Sequence, residues 1–321
     1  MSERQHTQAE LQRGAALLTV LLAVALLMLV VVEFTYSSQV DTHLAHNALR
    51  VTQAACLAQS GINLGKLVLE KDAKTAGIDA LNEEWAEQLP PLPAGQGLVL
   101  VQISDEQGKL NLNALRHANG TISGPWREVA ERLFALRDVE VQVLDPILDW
   151  LDADHFPEPR GAERDHYLSR TPVILPRNGL FLTLGELSRV EQLSPELLGR
   201  LYDVVTVLPS NRPLVNVNTA PADVLAALFP ELESELLDTF VATRQKIPVR
   251  GPGELIERLD FPPRDPPPSL QLTTVRSAFF AIHARAVVEP VQQALTVIVQ
   301  RQKTRVTPIS WSSTSPVVPK G

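Results

Sequence analysis

The residues best suited to chemistry in this chain are carboxylates crowded into one short stretch. Asp145-Pro146-Ile147-Leu148-Asp149-Trp150-Leu151-Asp152-Ala153-Asp154 is followed by Gly161-Ala162-Glu163-Arg164-Asp165-His166-Tyr167. Oxygen-rich clusters of this kind suit hard cations such as calcium, so Asp149, Asp152, Asp154, Glu163 and Asp165 form a candidate ligand set. The spacing is not that of an EF-hand loop, which alternates Asp or Asn and ends on Glu at the twelfth position. Two other readings use the same residues. A carboxylate pair is the equipment of a glycosidase. More plainly, Asp149 and Asp152 cap helices while Glu163 and Asp165 are solvated. Ser, His and Asp occur without a nucleophile-elbow motif, so nothing supports an acyl-transfer hydrolase.

A second constellation is Leu214-Val215-Asn216-Val217-Asn218-Thr219-Ala220-Pro221-Ala222-Asp223-Val224-Leu225. Thr219 suits an N-cap, Pro221 the first helical turn, and Asp223 that same turn. Val224, Leu225, Leu228, Leu232 and Leu236 supply an apolar face, and residues 242–244 and 253–255 predict a further short helix. The opening resembles that of helix-hairpin-helix or SAM-like domains. Some of these bind DNA through a glycine-rich hairpin. Here that position reads Phe229-Pro230-Glu231-Leu232-Glu233, acidic and without glycine.

The elements that must position these residues begin with a membrane-length run. Ala15 to Val32 contains Thr19 as its only polar residue. A bilayer span needs roughly 17–25 apolar residues, whereas a secretory h-region has about 7–15. The polar leader before the run ends in Arg13-Gly14, which predicts processing between Gly14 and Ala15. Arg4 and Arg13 precede the span and Glu33 and Asp41 follow it, which orients the N-terminus inside and the bulk outside. Val40, Leu44, Ala48, Val51, Ala55, Ala58 and Ile62 continue at helical spacing, and no proline occurs between Ala15 and Leu89. One helix therefore runs to about Glu70, on the order of 80 Å long. An ordinary anchor needs no such extension, whereas a filament-forming pilin does. Val40, Leu44, Val51, Ala55 and Ile62 are the candidate partner-binding stripe.

Composition bounds the rest. The chain has 321 residues and a net charge of −8, which argues against nucleic acid as the main partner. Its single cysteine, Cys56, excludes an internal disulfide framework or a cysteine-based metal site. Residues 98–103 read as a strand, and the turn signal Asp105-Glu106-Gln107-Gly108 predicts a hairpin back through 109–113. Residues 126–259 read as short helices. After the prolines at 262–263 and 266–268, a second hairpin is predicted around Glu289-Pro290. Strands on both sides of a helical block most economically share one sheet, with the block inserted.

Several motifs in this order resemble the minor pseudopilins of type II secretion systems, protein K family. They are Arg13-Gly14 with the apolar helix, residues 108–113, Asp149-Trp150-Leu151-Asp152-Ala153-Asp154, Gly161-Ala162-Glu163 with Tyr167, Asn178, Leu184-Gly185-Glu186-Leu187, residues 205–209, and Asn216-Val217-Asn218-Thr219-Ala220. The resemblance implies an α+β fold. A pilin-like transmembrane helix carries a small antiparallel sheet, into which an all-helical domain with two SAM-like subdomains is inserted. The implied boundaries are a cleaved leader 1–14, helix 15–72, sheet segments 73–121 and 269–303, helical insert 122–262, and a flexible tail 304–321. It further implies a non-enzymatic subunit of the bacterial inner membrane, single-pass, with its C-terminal domain in the periplasm. The implied place is the tip of a pseudopilus, with partners of the I and J types, the major pseudopilin, the inner-membrane assembly platform and the prepilin peptidase. Position five of the mature chain would be Thr19, where pilins usually carry Glu. Arg164 departs from the family's usual Gly-Ala-Glu-Asp, which puts Asp165 in doubt as a ligand. A membrane-anchored periplasmic hydrolase and a DNA-uptake pilin are the alternatives from other classes.

Overall fold

The computed structural model describes residues 2–74, 77–210 and 213–313, with side chains from Leu17 onward. One helix, α1 (Ser2–Asp72), is followed by strands β1 (Leu92–Ala94), β2 (Gly97–Asp105) and β3 (Leu110–Asn111). A helical block comes next: α2 (Gly124–Leu136), α3 (Leu144–Leu151), α4 (Arg164–Leu168), α5 (Pro195–Leu201), the two-residue strands β4 (Val205–Thr206) and β5 (Val215–Asn216), then α6 (Ala222–Leu228), α7 (Ser234–Arg244) and α8 (Pro252–Arg258). The chain returns through β6 (Thr273–Thr274) to β7 (Phe279–Val288), β8 (Val291–Gln302) and β9 (Arg305–Ser313).

The sheet runs β1-β2-β7-β8-β9, antiparallel throughout. Its central pairing, β2 with β7, joins Ile103 to Ile282 across 179 positions of chain. The helical block is thus inserted between two neighbouring strands of one sheet, as the sequence pattern predicts. One face is apolar: Val99, Val101, Ile103, Phe280, Ile282, Ala284, Val297 and Val299 pack with Ala58, Ile62 and Leu69 of α1. Gly65 lets helix and sheet approach, because a Cβ there would lie 2.5 Å from Ile282 Cγ2. Membrane-side of this contact, residues 17–46 of α1 are exposed along every face. The segment is long and apolar enough to cross a membrane.

Three expectations are corrected here. The turn at Asp105–Gly108 does not close a hairpin. β3 pairs in parallel with β4 instead, so the chain leaves the sheet at Asp105 and enters the helical block there, not at 121. Likewise β6 pairs with β5, and the returning sheet strand starts at Phe279 rather than 269. The segment from 304 is not a loose tail as far as Ser313, because Arg305–Ser313 pairs with β8 around a bulge at Ile298/Val299. Residues 314–321 lie outside the described residues.

Candidate functional site: a buried carboxylate triad

The helical block has its own core, with Trp126, Phe134, Trp150, Tyr167 and Phe229 among its buried side chains. Helix α3 ends in this core. Its apolar positions Ile147, Leu148 and Leu151 face inward, and Trp150 stacks on Phe181 and meets Tyr167 edge-on. Packing on nearly all sides drags Asp149 and the C-cap Asp152 under cover: Asp149 is 1 % exposed and Asp152 4 %. The following loop folds back over them. Glu158 N donates to Asp149 Oδ1 at 2.9 Å, and Arg160 N to Asp145 Oδ2 at 3.2 Å. Glu163, the N-cap of α4, completes the group, and its Oε2 accepts from Arg164 N.

Asp149, Asp152 and Glu163 therefore converge, each offering an oxygen within 4.8 Å of the other two. Asp149 Oδ2, Asp152 Oδ1 and Glu163 Oε1 are buried and accept no hydrogen bond. Such orphaned oxygens are costly unless something compensates them. The cost shows in their acidity. Burial pushes Asp149 from its ordinary 3.8 to about 6, the Glu158 N–H opposes this, and Asp152 adds to it. Burial, then Asp152, pushes Glu163 to about 7. Burial raises Asp152 as well, while Arg116 pulls it down. Three oxygen donors so placed could hold a cation with oxygen preference.

Two of the five sequence candidates are not part of the triad. Asp154 is exposed, and its Oδ1 accepts from Phe156 N. Asp165 is exposed on the first turn of α4 and lies outside the group of three. Three other residues were missed. Gly161 sits directly against the Asp149 carboxylate, with no room for a Cβ. Arg116 forms ion pairs with Asp152 and, at 3.5 Å, with Glu158. Gly161 belongs to a motif visible in the sequence, but Arg116 and Glu158 carry no local signal.

A second acidic group lies where the block joins the sheet. Asp105 Oδ2 accepts from Asn216 Nδ2 at 3.0 Å, from Thr219 Oγ1 at 2.6 Å and from Ser277 Oγ, while Oδ1 accepts from Gln107 N. Asp79 accepts from Ser277 N at 2.7 Å and pairs with Arg301, which also holds Asp72 at 2.7 Å. Thr219 is thus not a helix cap. Its hydroxyl is spent on Asp105, and α6 begins at Ala222 after Pro221. The Asn216–Ala220 motif ties the insert to the sheet.

On α1 the partner-binding stripe divides. Val40 is 39 % and Leu44 61 % exposed, and Ala55 is exposed. Val51 is half-buried beside Ala54, Val288 and Val291. Ile62 is wholly buried against the protein's own sheet, so it has no surface to offer a partner. The reason is a rotation of the buried face onto Ala54, Ala58, Gly61 and Gly65, which the Ala/Val spacing did not distinguish. Thr19 lies on exposed helix surface. Gly14 and Ala15 lie outside the residues whose side chains are described.

The model of the family described as type II secretion system (T2SS), protein K, matches residues 108–210 and again 215–274. A type II secretion system protein K from Pseudomonas aeruginosa is 35 % identical over 229 residues, covering 68 % of each chain. The chain belongs to the type II secretion system protein K family. A protein K from Klebsiella pneumoniae is 31 % identical over 251 residues, covering 75 % of this chain and 76 % of that one. The fold is also that of a chain in the crystal structure of a GspK–GspI–GspJ complex from enterotoxigenic Escherichia coli. That likeness has a TM-score of 0.72 at 20 % identity and covers 84 % of this chain and 99 % of the other. The two segments matched by the family model lie between β2 and β7, the first starting at residue 108, three positions after β2 ends, and the second ending at 274.

Proposed function

We propose that this protein K is a membrane-inserted minor pseudopilin at the tip of the type II secretion pseudopilus, where it starts assembly and supports export of folded proteins across the outer membrane. The observation that carries this reading is the insertion of a large helical block between β2 and β7 of a pilin-like sheet, above a membrane-length helix. A block of that size leaves no place for a like subunit stacked above it. Its partners are minor pseudopilins of the I and J types, the major pseudopilin below, the inner-membrane assembly platform and the prepilin peptidase, which cuts between Gly14 and Ala15. The chain sits in the inner membrane with its folded part in the periplasm. It acts by assembly and not by catalysis, and each half of the helical block is a SAM-like packing module. Thr19 fits this place: a carboxylate at that depth costs at least a few kcal/mol unless paired, and a subunit with nothing above it has no amine to pair.

Asp149, Asp152 and Glu163 hold calcium in this reading, supported by their orphaned buried oxygens. Calcium would offset their mutual repulsion and fasten the loop from Asp152 to Glu163 onto α3.

The test is position. Antibody or gold label on the helical block should decorate one end of each pseudopilus. Label along the filament sides would end the tip assignment.

A further inference from the structure

Arg116 stands beside the carboxylate triad, a fixed positive charge where a cation would bind. It is well placed to stay. Its Nε donates to Leu148 O at 3.1 Å and its Nη1 to Gly120 O at 2.7 Å. Its Nη2 faces Asp152 and, at 3.5 Å, Glu158. The side chain is only 9 % exposed. Two backbone carbonyls from different segments fix the guanidinium, so it cannot swing away when a metal ion arrives. With Asp152 it also lines an open cleft of about 930 Å³.

Asp149, Asp152 and Glu163 bring three negative charges under cover, and Arg116 brings one positive charge against one of them. With all three ionised, as metal ligands must be, and with the partly exposed Glu158 left to solvent, two negative charges remain without a partner. Buried charge is tolerated when it sums to near nothing. One divalent cation completes that sum. A monovalent ion falls short of it, and a trivalent ion exceeds it.

We propose that Arg116 is an integral, fixed countercharge of the cation site, lowering its affinity for calcium and setting its preference for a divalent ion. Asp152 is then shared, with one oxygen toward the guanidinium and the other toward the metal ion. Arg116 is a positioning and charge-setting residue and does not touch the ion. This inference rests on the calcium reading above.

The experiment uses the full chain in detergent, titrated calorimetrically with calcium, and by luminescence with terbium, for which Trp150 beside the triad is the sensitiser. R116Q removes the charge and keeps hydrogen-bonding capacity. R116K keeps the charge and loses the planar fork. Removing one charge a few ångströms from a divalent ion is expected to tighten calcium binding about five- to tenfold, and terbium binding by more. R116K should bind both ions as the parent does. Should R116Q fail to fold, the comparison of R116K with the parent still decides, since a purely structural clamp predicts that Lys weakens calcium binding as any loss of the fork would. Calcium affinity unchanged or weakened in R116Q overturns the countercharge. A parent protein that binds no calcium while folded overturns the calcium reading and this inference with it, and the two failures are told apart by that parent titration.

Discussion

Among the described residues, the buried carboxylates around Asp105 and those around Asp149 differ in what meets their oxygens. At the junction of insert and sheet, Asp105 accepts hydrogen bonds from Asn216, Thr219, Ser277 and Gln107, and Arg301 ties Asp79 to Asp72. In the helical block, Asp149, Asp152 and Glu163 face each other with three oxygens unmet. Burial raises Asp105 to about 6, as it does Asp149. Burial and acidity alone therefore do not separate the groups, whereas donors do. The first group is finished by the protein and is architecture. The second keeps buried oxygens that no protein donor meets, and in the proposed reading an ion finishes it.

The largest expected effect tests the finished group. Asp105→Ala takes the acceptor from Ser277 and Thr219, while Asn216 keeps Asp79 O and Ser277 Oγ, at about 1–3 kcal/mol for each group left unmet, and it removes the anchor between insert and sheet. Denaturant unfolding should show a loss of roughly 3–5 kcal/mol or no folded protein at all, the same with calcium as with chelator. A loss that calcium repairs would erase the distinction between the groups.

Gly161→Ala comes next. The added methyl collides with the Asp149 carboxylate, so the triad must open. Calcium affinity should drop at least about tenfold, near 1.4 kcal/mol, by calorimetric titration. Unchanged affinity would mean that Asp149 is not a ligand.

The effect of pH is intermediate. Asp149 and Glu163 have folded values raised to about 6 and about 7, above their ordinary 3.8 and 4.5. A raised carboxylate favours the protonated fold. That contribution is complete below the ordinary values and is lost as pH rises through 6 to 7. Asp105 adds the same sign with or without the ion. Chelated protein should thus lose thermal stability from pH 5 to pH 8, and the gain from calcium should grow over the same range. A gain that shrinks with pH would contradict carboxylate ligation.

The smallest effects lie on α1, where exposed and buried stripe positions part company. Leu44→Arg should leave the unfolding midpoint within about 0.5 kcal/mol while abolishing co-purification with partner pseudopilins, as befits a surface site. Ile62→Ala should do the reverse in kind, costing about 2–5 kcal/mol of stability through the cavity it opens against the sheet.

Much of the architecture was legible because it rests on long, regular signals. The proline-free helical period foretold α1, and the Glu289-Pro290 punctuation foretold the β7–β8 hairpin. Short elements were not legible. Asp105-Glu106-Gln107-Gly108 has the composition of a hairpin turn, but its donors and acceptors are claimed by residues 100 positions away or farther, such as Thr206 and Asn216. Thr219 looked like a cap for the same reason: a local rule was overridden by a distant carboxylate. In the acidic block the residue types were right and their directions were not. Asp152 and Asp154 are two positions apart in a loop, and only the fold turns one inward. Arg116 was invisible, because its claim on Asp152 is made across α3 by a residue with no motif around it.

The most direct test of the contrast between the two groups is the unfolding midpoint of the full chain in detergent, measured with calcium and with chelator, for the parent and for Asp149→Asn. The account predicts that calcium in hundredfold excess over its dissociation constant stabilises the parent by about 2.7 kcal/mol. It predicts that Asp149→Asn loses most of that gain, and that without calcium it is at least as stable as the parent at pH 8. Equal midpoints for the parent in calcium and chelator would contradict it, and so would a calcium gain that survives in Asp149→Asn.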